Sequence, residues 1–329
     1  MTFDGAIRIS ANLITNQRCK KVSMLKETNG FEWQISNRKK ETHNVYTYTL
    51  SPMSNSQRFS FEVGQFVMLG TFLNRPTVSG NFEESFVQRA YSISSSPLRQ
   101  FLELTIKDEK PYGYINPKTG KADAFAPYFF EQIRIGNKVR VKLDEHPEHF
   151  MWKVAKGMEK DIAYWSGSNG AESSRSLIQF MEDTKDPDYR LLLFYSNPNL
   201  RFLEDNTVDV IYYDWLIEMI KKLDNLTVVF TFTRDRDIPN SDHPRLGFRK
   251  GRFFINQEGK TEKTLSIYHR KIANSFNPIC GSSAFINGTL RLPDGKIKKG
   301  RGIMQNLLET EGISPEKIDK EQFYLQQAA

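Results

Sequence analysis

Cysteine is scarce in this chain. Only Cys19 and Cys280 occur among 329 residues, with no Cys-x-x-Cys pair and no Cys/His cluster. That argues against a disulfide framework, a structural zinc site and an iron–sulfur cluster held by cysteines. His146 and His149 stand three apart, but Pro147 between them opposes the helical presentation that a shared metal would use. Long apolar runs are missing too. No stretch approaches the ~18–20 residues that a bilayer-spanning helix needs. The opening residues lack a continuous apolar segment behind a basic start, so no signal peptide is expected and a cytoplasmic location is the default. Neither Gly-x-Gly-x-x-Gly nor the phosphate-loop lysine pattern occurs, and there is no internal repeat.

What is present is an ordinary globular composition, 39% hydrophobic and 26% charged, which is enough apolar material for real cores. A chain of this length usually divides into two domains. The net charge of +7 favours anionic partners such as nucleotides or acidic proteins. Apart from "RKK" (38–40) and "KIKKGR" (296–301), the basic residues are scattered, which reads as a solvated surface rather than a nucleic-acid stripe.

Residues 1–30 show no period. From about 33 the pattern is β: "WQISN", "VYTYTLSP", "FSFEVGQFVML", "QRAYSIS", "FLELTIK" and "NKVRVKL" are short runs rich in β-branched and aromatic residues. Six such runs in about 110 residues suggest a barrel or a sandwich, and the fold expected is an antiparallel Greek-key barrel. A short helical stretch is expected at 127–133. After about 150 strands and helices alternate. "DIAYWSGS", "YRLLLFYSN", "LTVVFTFTR" and "FNPICGSS" read as strands. "SSRSLIQFMEDT" reads as a helix with a serine start, and Val208, Ile211, Trp215, Met219 and Leu223 mark another by their spacing. "GIMQNLLETEG" reads as a third, closed by Gly312. The expected fold is therefore β plus α/β: a barrel domain over 1–152 and a doubly wound parallel-sheet domain over 153–329.

Parallel sheets bind ligands beyond the carboxyl ends of their strands. "WSGSNGAESS" (165–174) is one such loop, where Gly167 and Gly170 would let backbone approach a ligand and the helix start would favour phosphate. "YSNPNLR" (195–201) and "TRDRD" (233–237) are two more. Arg234 and Arg236 either fork onto an extra phosphate or pair with Asp235 and Asp237 at the surface. Cys280 is either a small core residue or lies against a ligand ring.

Arg89-Ala90-Tyr91-Ser92, preceded by Gly64-Gln65-Phe66 and followed far along the chain by Cys280-Gly281 and by Glu321 and Phe323, resembles the ferredoxin–NADP reductase superfamily over roughly 33–325. The resemblance implies an FAD-dependent oxidoreductase using NADPH or NADH. Arg89 would neutralise the flavin phosphate, Tyr91 would stack on the isoalloxazine, and Ser92 would bond near its N5/O4 edge. Ser95 and Lys107 would lie on the ribityl-phosphate or adenine side. Ser92 and Cys280 would flank the reacting rings. "SGSNGAES" aligns with the nicotinamide loop, with Gly167, Ser168 and Gly170 in it and Gly281 facing it. Thr233-Arg234 resembles the pair that reads the 2′-phosphate of NADPH.

The departures fall in both halves and loosen the nucleotide motifs while the flavin motif stays intact. "KLDEHPEH" stands where Gly-Pro-x-Gly is usual, Asp123-Ala124-Phe125-Ala126 replaces Gly-x-x-Ser, Glu172 stands near the usual proline, and Ser282 replaces the proline after Cys-Gly. Two functions are therefore expected in order. The first is electron transfer between NAD(P)H and a separate acidic carrier such as a ferredoxin or flavodoxin. The second is a degenerate relative that binds flavin or nucleotide and regulates or scaffolds an electron-transfer complex.

Overall fold

In the first β-runs, buried and half-exposed residues alternate. Tyr48 and Leu50 of "VYTYTLSP" enter the barrel core, while Val45 and Thr47 are buried on the opposite face. The computed structural model describes residues 30–53, 59–76, 81–108, 125–204, 208–235, 238, 240–254, 268–291 and 296–323. Within them the strands β1 (Phe31–Thr42), β2 (Val45–Pro52), β3 (Phe66–Pro76), β4 (Phe82–Ser92), β5 (Leu102–Lys107) and β6 (Lys138–Leu143) form one sheet in the order β4-β3-β6-β1-β2-β5. Every pair in it is antiparallel. The two edge strands then meet: Ile93 pairs with Leu104, and Ser94 N donates to Glu103 O at 2.8 Å. The sheet thus curls on itself at the serine run that follows Tyr91. Helix α1 (Ala126–Gln132) starts with proline in its first turn and inserts Phe129 into the barrel core, edge-on to Tyr48.

From Asp161 the strand pairing changes from antiparallel to parallel. Strands β7 (Asp161–Gly167), β8 (Arg190–Asn197), β9 (Leu226–Phe232), β10 (Leu246–Lys250), β11 (Asn277–Ser282) and β14 (Ile318–Phe323) lie in the order β10-β9-β8-β7-β11-β14, all parallel. A small antiparallel hairpin, β12 (Thr289–Arg291) and β13 (Ile297–Lys299), stands apart. The helices are α2 (Trp152–Ala155), α3 (Ala171–Thr184), α4 (Tyr213–Lys222), α5 (His269–Asn274), α6 (Ser283–Asn287) and α7 (Ile303–Glu309). Successive strand residues face opposite cores: Tyr164, Leu193 and Phe230 one, Trp165, Phe194 and Val229 the other. A parallel sheet needs both faces covered, which explains why its strands read as nearly unbroken apolar runs. The strand order reverses between β7 and β11. Such a reversal opens a crevice at the carboxyl ends of the strands.

Two helices differ from the sequence reading. Helix α4 covers only Tyr213–Lys222, not the stretch from Val208, because Tyr212 adopts a left-handed φ of 62° and Val208 pairs with Phe202 in an isolated bridge. Helix α3 begins at Ala171 with Gly170 at its cap position, so Ser173 and Ser174 lie inside it. Their hydroxyls are engaged elsewhere: Ser174 Oγ donates to Ala171 O at 2.8 Å, and Ser173 takes part in the site below. Strand β10 and the β12–β13 hairpin lacked a readable alternation. No helix among the described residues is long and apolar enough to cross a membrane.

Candidate functional site

Ser92 closes β4 where the barrel abuts the parallel sheet. Its hydroxyl donates to Glu321 Oε2 at 3.2 Å. Two further donors reach the same oxygen: Ser173 Oγ from the first turn of α3 at 3.2 Å and Cys280 Sγ from β11 at 3.3 Å. Glu321 lies on β14 directly opposite Cys280. Elements of both sheets thus converge on one carboxylate oxygen. With three donors on Oε2, a proton on this carboxyl group belongs on Oε1. Crowding by protein atoms strips water from the carboxyl group and raises its pKa above the ordinary glutamate value, while the three hydrogen bonds pull it partly back. Cys280 is 0% exposed, and burial together with the adjacent Glu321 pushes its thiol well above the usual range. It is a neutral hydrogen-bond donor rather than a nucleophile.

Arg89 and Tyr91 lie two residues apart on β4, so they share one face, opposite Leu69 and Val67. Both are half-buried. The Tyr91 ring packs tilted on Phe125, centroids 5.9 Å apart, and an Arg89 guanidinium nitrogen donates to Gln88 O at 2.9 Å. Ser92 faces the other way. A flat cofactor touching all three has to lie across the end of the strand. Ser95 is placed differently from the expectation. It is 0% exposed, its hydroxyl donates to Phe101 O at 3.2 Å and accepts from Glu103 N at 3.1 Å, and its carbonyl accepts from Ser176 Oγ at 2.7 Å. Those bonds close the barrel and dock α3 rather than reach toward a phosphate. Ser94 and Ser96 do similar work, through Ser94 Oγ to Glu103 O and Ser96 N to Gln179 Oε1, both 3.0 Å.

The glycines of the second domain serve close packing. A Cβ on Gly170 would lie 2.1 Å from Cys280 O, so the loop after β7 presses directly on β11. Between them Ser168 holds a left-handed φ of 53°, a conformation that costs a residue with a Cβ ~1–2 kcal/mol. Gly167 and Gly281 both lie under the ring of Phe285. Beyond these strand ends is a cleft of about 210 Å³ lined by Lys107, Ser168, Asn197, Thr233, Ser282 and Phe285, among others. Lys107, expected beside the flavin's ribityl phosphate or adenine, lines this cleft from the barrel side. Asn197 is 6% exposed, and its Nδ2 has no hydrogen-bond partner among the described residues. Arg234 is exposed next to Thr233, its backbone N donating to Pro198 O at 2.8 Å. Asp235 does not pair with it; its carboxylate accepts from Leu200 N. Arg236 and Asp237 lie outside the described residues, as do Asp123 and Ala124. Ser282, in place of the usual proline, accepts from Phe285 N at 3.3 Å and caps α6.

One set of residues had no signal in the sequence. Arg175, 7% exposed on α3, donates to Glu103 of β5 at 2.5 Å and to Ser94 O at 3.3 Å, and its guanidinium lies 5.0 Å from the Tyr212 ring centroid and 5.3 Å from that of Trp215. This pair ties helix α3 to β5 of the barrel sheet, beside the segment that follows Ser92. His149, considered above for a metal, has both ring nitrogens engaged, with Phe150 O at 2.7 Å and Glu62 Oε2 at 3.2 Å.

The residues suit flavin and pyridine nucleotide by chemical type. The barrel end offers a cation, a ring and a hydroxyl, and the cleft offers Lys107, hydroxyls and an orphaned amide donor. No protein-family model matches the chain, and no curated protein is similar to it in sequence. Solved structures share its fold. The FAD/NAD-binding domain of nitric oxide dioxygenase from Vibrio cholerae O1 biovar El Tor matches with a TM-score of 0.57 at 12% identity, over 89% of this chain and 98% of that one. Flavohemoglobin from Malassezia yamatoensis, with bound FAD and heme, matches at 0.57 and 16%, over 89% of this chain and 60% of its own. Phthalate dioxygenase reductase, a modular structure for electron transfer from pyridine nucleotides to a 2Fe–2S centre, matches at 0.52 and 13%, over 90% and 69%. The class is that of a two-domain fold, an antiparallel barrel followed by a doubly wound sheet. Within it, this chain has the fold of FAD- and NAD(P)-binding reductase domains, as the Arg-x-Tyr-Ser resemblance implied.

Proposed function

We propose that the chain is an FAD-dependent oxidoreductase that takes electrons from NAD(P)H and passes them to a separate acceptor, an acidic carrier such as a ferredoxin or flavodoxin. Residues 1–152, with 1–30 an unplaced extension, would be its flavin-binding domain and 153–329 its nucleotide-binding domain. The observation that carries this reading is the convergence of Ser92, Cys280 and Ser173 on Glu321, at the seam between the Arg89–Tyr91 strand and the glycine loop. Bound FAD would supply the hydride-accepting atom and the store of two electrons. The chain's own residues supply position. Arg89 would pair with the flavin phosphate, and Tyr91 would offer a ring face. Ser92 would present its hydroxyl at the reactive edge, held there by Glu321. The neutral Cys280 thiol would lie beside the rings without reacting. Glu321 would keep a proton at Oε1 to a higher pH than an exposed glutamate does.

In the cleft, Lys107, Ser168, Asn197 and Thr233 would hold the nucleotide's phosphates and ribose. Arg234, exposed at the end of β9, favours NADPH over NADH, since a guanidinium there would pair with a 2′-phosphate. The net charge of +7 suits an acidic carrier. The purified protein should be yellow, and anaerobic addition of NADPH should bleach it, with NADH slower. A colourless protein that takes up no FAD overturns the proposal. A second reading has support from the Phe285 ring lying over Gly167 and Gly281: a relative that binds flavin and serves as a regulatory or scaffold subunit. It predicts a yellow protein that neither nicotinamide bleaches.

A further inference from the structure

The basic run "KIKKGR" (296–301) takes no part in the site above. Ile297, Lys298 and Lys299 form β13, and every residue from Lys296 to Arg301 is exposed. Arg301 is engaged, pairing with Glu309 at 2.8 Å. Among the described residues no carboxylate pairs with Lys298 or Lys299. Ile297 beside them is 58% exposed.

The β12–β13 hairpin stands on a tight base. Gly288 ends α6 at φ 70°, and a Cβ there would collide with Gly300 O. A Cβ on Gly302 would collide with Ile286 O. The two legs of the hairpin cross this closely because glycines stand at the crossing. Asn287 Nδ2 donates to Gln322 Oε1 at 2.9 Å, which ties the base to β14 one residue past Glu321. Helix α6 rises ~7.5 Å, so the hairpin starts about that far from the end of β11.

The ladder shows which backbone groups are open. Gly300 N donates to Gly288 O at 2.8 Å. Bonded and non-bonded pairs alternate along an antiparallel ladder. Leu290 and Lys298 are therefore the next bonded pair, while Ile297 and Lys299 stand in non-bonded ones. The N–H and C=O groups of Ile297 and Lys299 point away from β12. This sheet has two strands among the described residues, so that edge of β13 is open.

An open edge is a template for a further strand. The lysines decide which strand fits. A second copy of β13 would set Lys against Lys, and like charges directly opposite destabilise a pair. A strand reading acidic–acidic–apolar–acidic, laid antiparallel, would set carboxylates opposite Lys299, Lys298 and Lys296 and an apolar side chain opposite Ile297. A lipid surface or a duplex would meet the charge but has no peptide groups to fill the open ladder. We propose that the edge of β13 is a docking strand for an acidic, extended segment of a partner protein, which adds to the hairpin as a third strand. A partner held there lies beside the strand ends that carry Cys280 and Glu321. The docking strand does not depend on the function proposed above.

The test is fluorescence anisotropy of a labelled, capped peptide containing Glu-Glu-Val-Glu, titrated with the full-length protein at low salt. The same peptide N-methylated at alternate backbone positions keeps its charge but cannot pair as a strand, and should bind about tenfold more weakly. Ile297→Pro removes one outward N–H and leaves the lysines in place; proline is tolerated on the open side of an edge strand. I297P should also lose about tenfold, and K298E/K299E should not bind the peptide measurably. A Lys-Lys-Val-Lys peptide should not bind wild type. Equal binding of the methylated peptide, or equal binding by I297P, reduces the hairpin to a charged surface and overturns strand addition. No binding of the acidic peptide to wild type overturns the docking site. Tighter binding to phosphatidylserine vesicles or to duplex DNA, lost in K298E/K299E, assigns the edge to a membrane or a nucleic acid and overturns it as well. If I297P melts below wild type, the methylated peptide on wild-type protein decides between strand addition and charge alone.

Discussion

Glu321 accepts three hydrogen bonds on one oxygen, and its protonation has a consequence for stability. Loss of water raises its folded pKa above the ordinary glutamate value of 4.5. A carboxyl group raised on folding contributes stability that is fully present below its unfolded pKa and is lost as pH rises through the folded one. Glu321→Gln cannot titrate. The melting temperature of E321Q minus that of wild type should therefore increase as pH rises from about 4 through the raised value. A pH-independent difference would show that the carboxyl group is not perturbed. Arg89, Tyr91, Ser92 and Cys280 were visible as a pattern before the fold was known, because their spacing within one strand or one strand end is local. Glu321 was visible only as a match at the far end of the chain. Ser173 was misread as a helix start, since a serine before an apolar run usually caps.

At the scale of elements, the join between β7 and α3 shows how little room the site leaves. The loop rests on the backbone of β11, with Gly170 against Cys280 O. Backbone cannot rotate aside as a side chain can. Gly170→Ala should therefore force β7 and β11 apart and cost ~1–3 kcal/mol, read as a drop in the denaturant midpoint at unchanged slope. Normal stability in G170A would mean that the two segments are farther apart than described. From sequence, Gly167, Gly170 and Gly281 read as sites of ligand approach. They are sites of close approach, but to Phe285 and to β11. A glycine signals that something comes near; it does not say what. The strands themselves were readable because alternation and apolar runs are imposed by the faces they bury. The ends of α4 were not, because Tyr212 turns left-handed against the apolar spacing.

For the whole molecule, Arg175 of α3 and Glu103 of β5 form one buried contact between the barrel and the α/β half. Their side chains are 9% and 14% exposed and 2.5 Å apart. Removing one partner of a buried pair strands the other, at a cost of ~3–5 kcal/mol. Arg175→Ala should lose that much in chemical denaturation, and the double variant R175M/E103L should recover most of it. A loss below about 1 kcal/mol in R175A would show that the pair is effectively solvated. Either result bears on Ser92, since Arg175 also holds Ser94 O two residues along the same segment.

The order of β-runs followed by alternating strands and helices determined the two-domain fold on its own, because each local period reports which faces an element must bury. The Arg-x-Tyr-Ser stretch placed Arg89, Tyr91 and Ser92 at the end of one strand. Only the tertiary structure decided that Glu321 gathers donors from both sheets, that Lys107 of the barrel lines the cleft at the strand ends, and that Phe285 lies over the glycines. These meetings join residues as far apart as Ser92 and Glu321. Contacts over such separations leave no period in a sequence; they arise only when the two sheets are brought together.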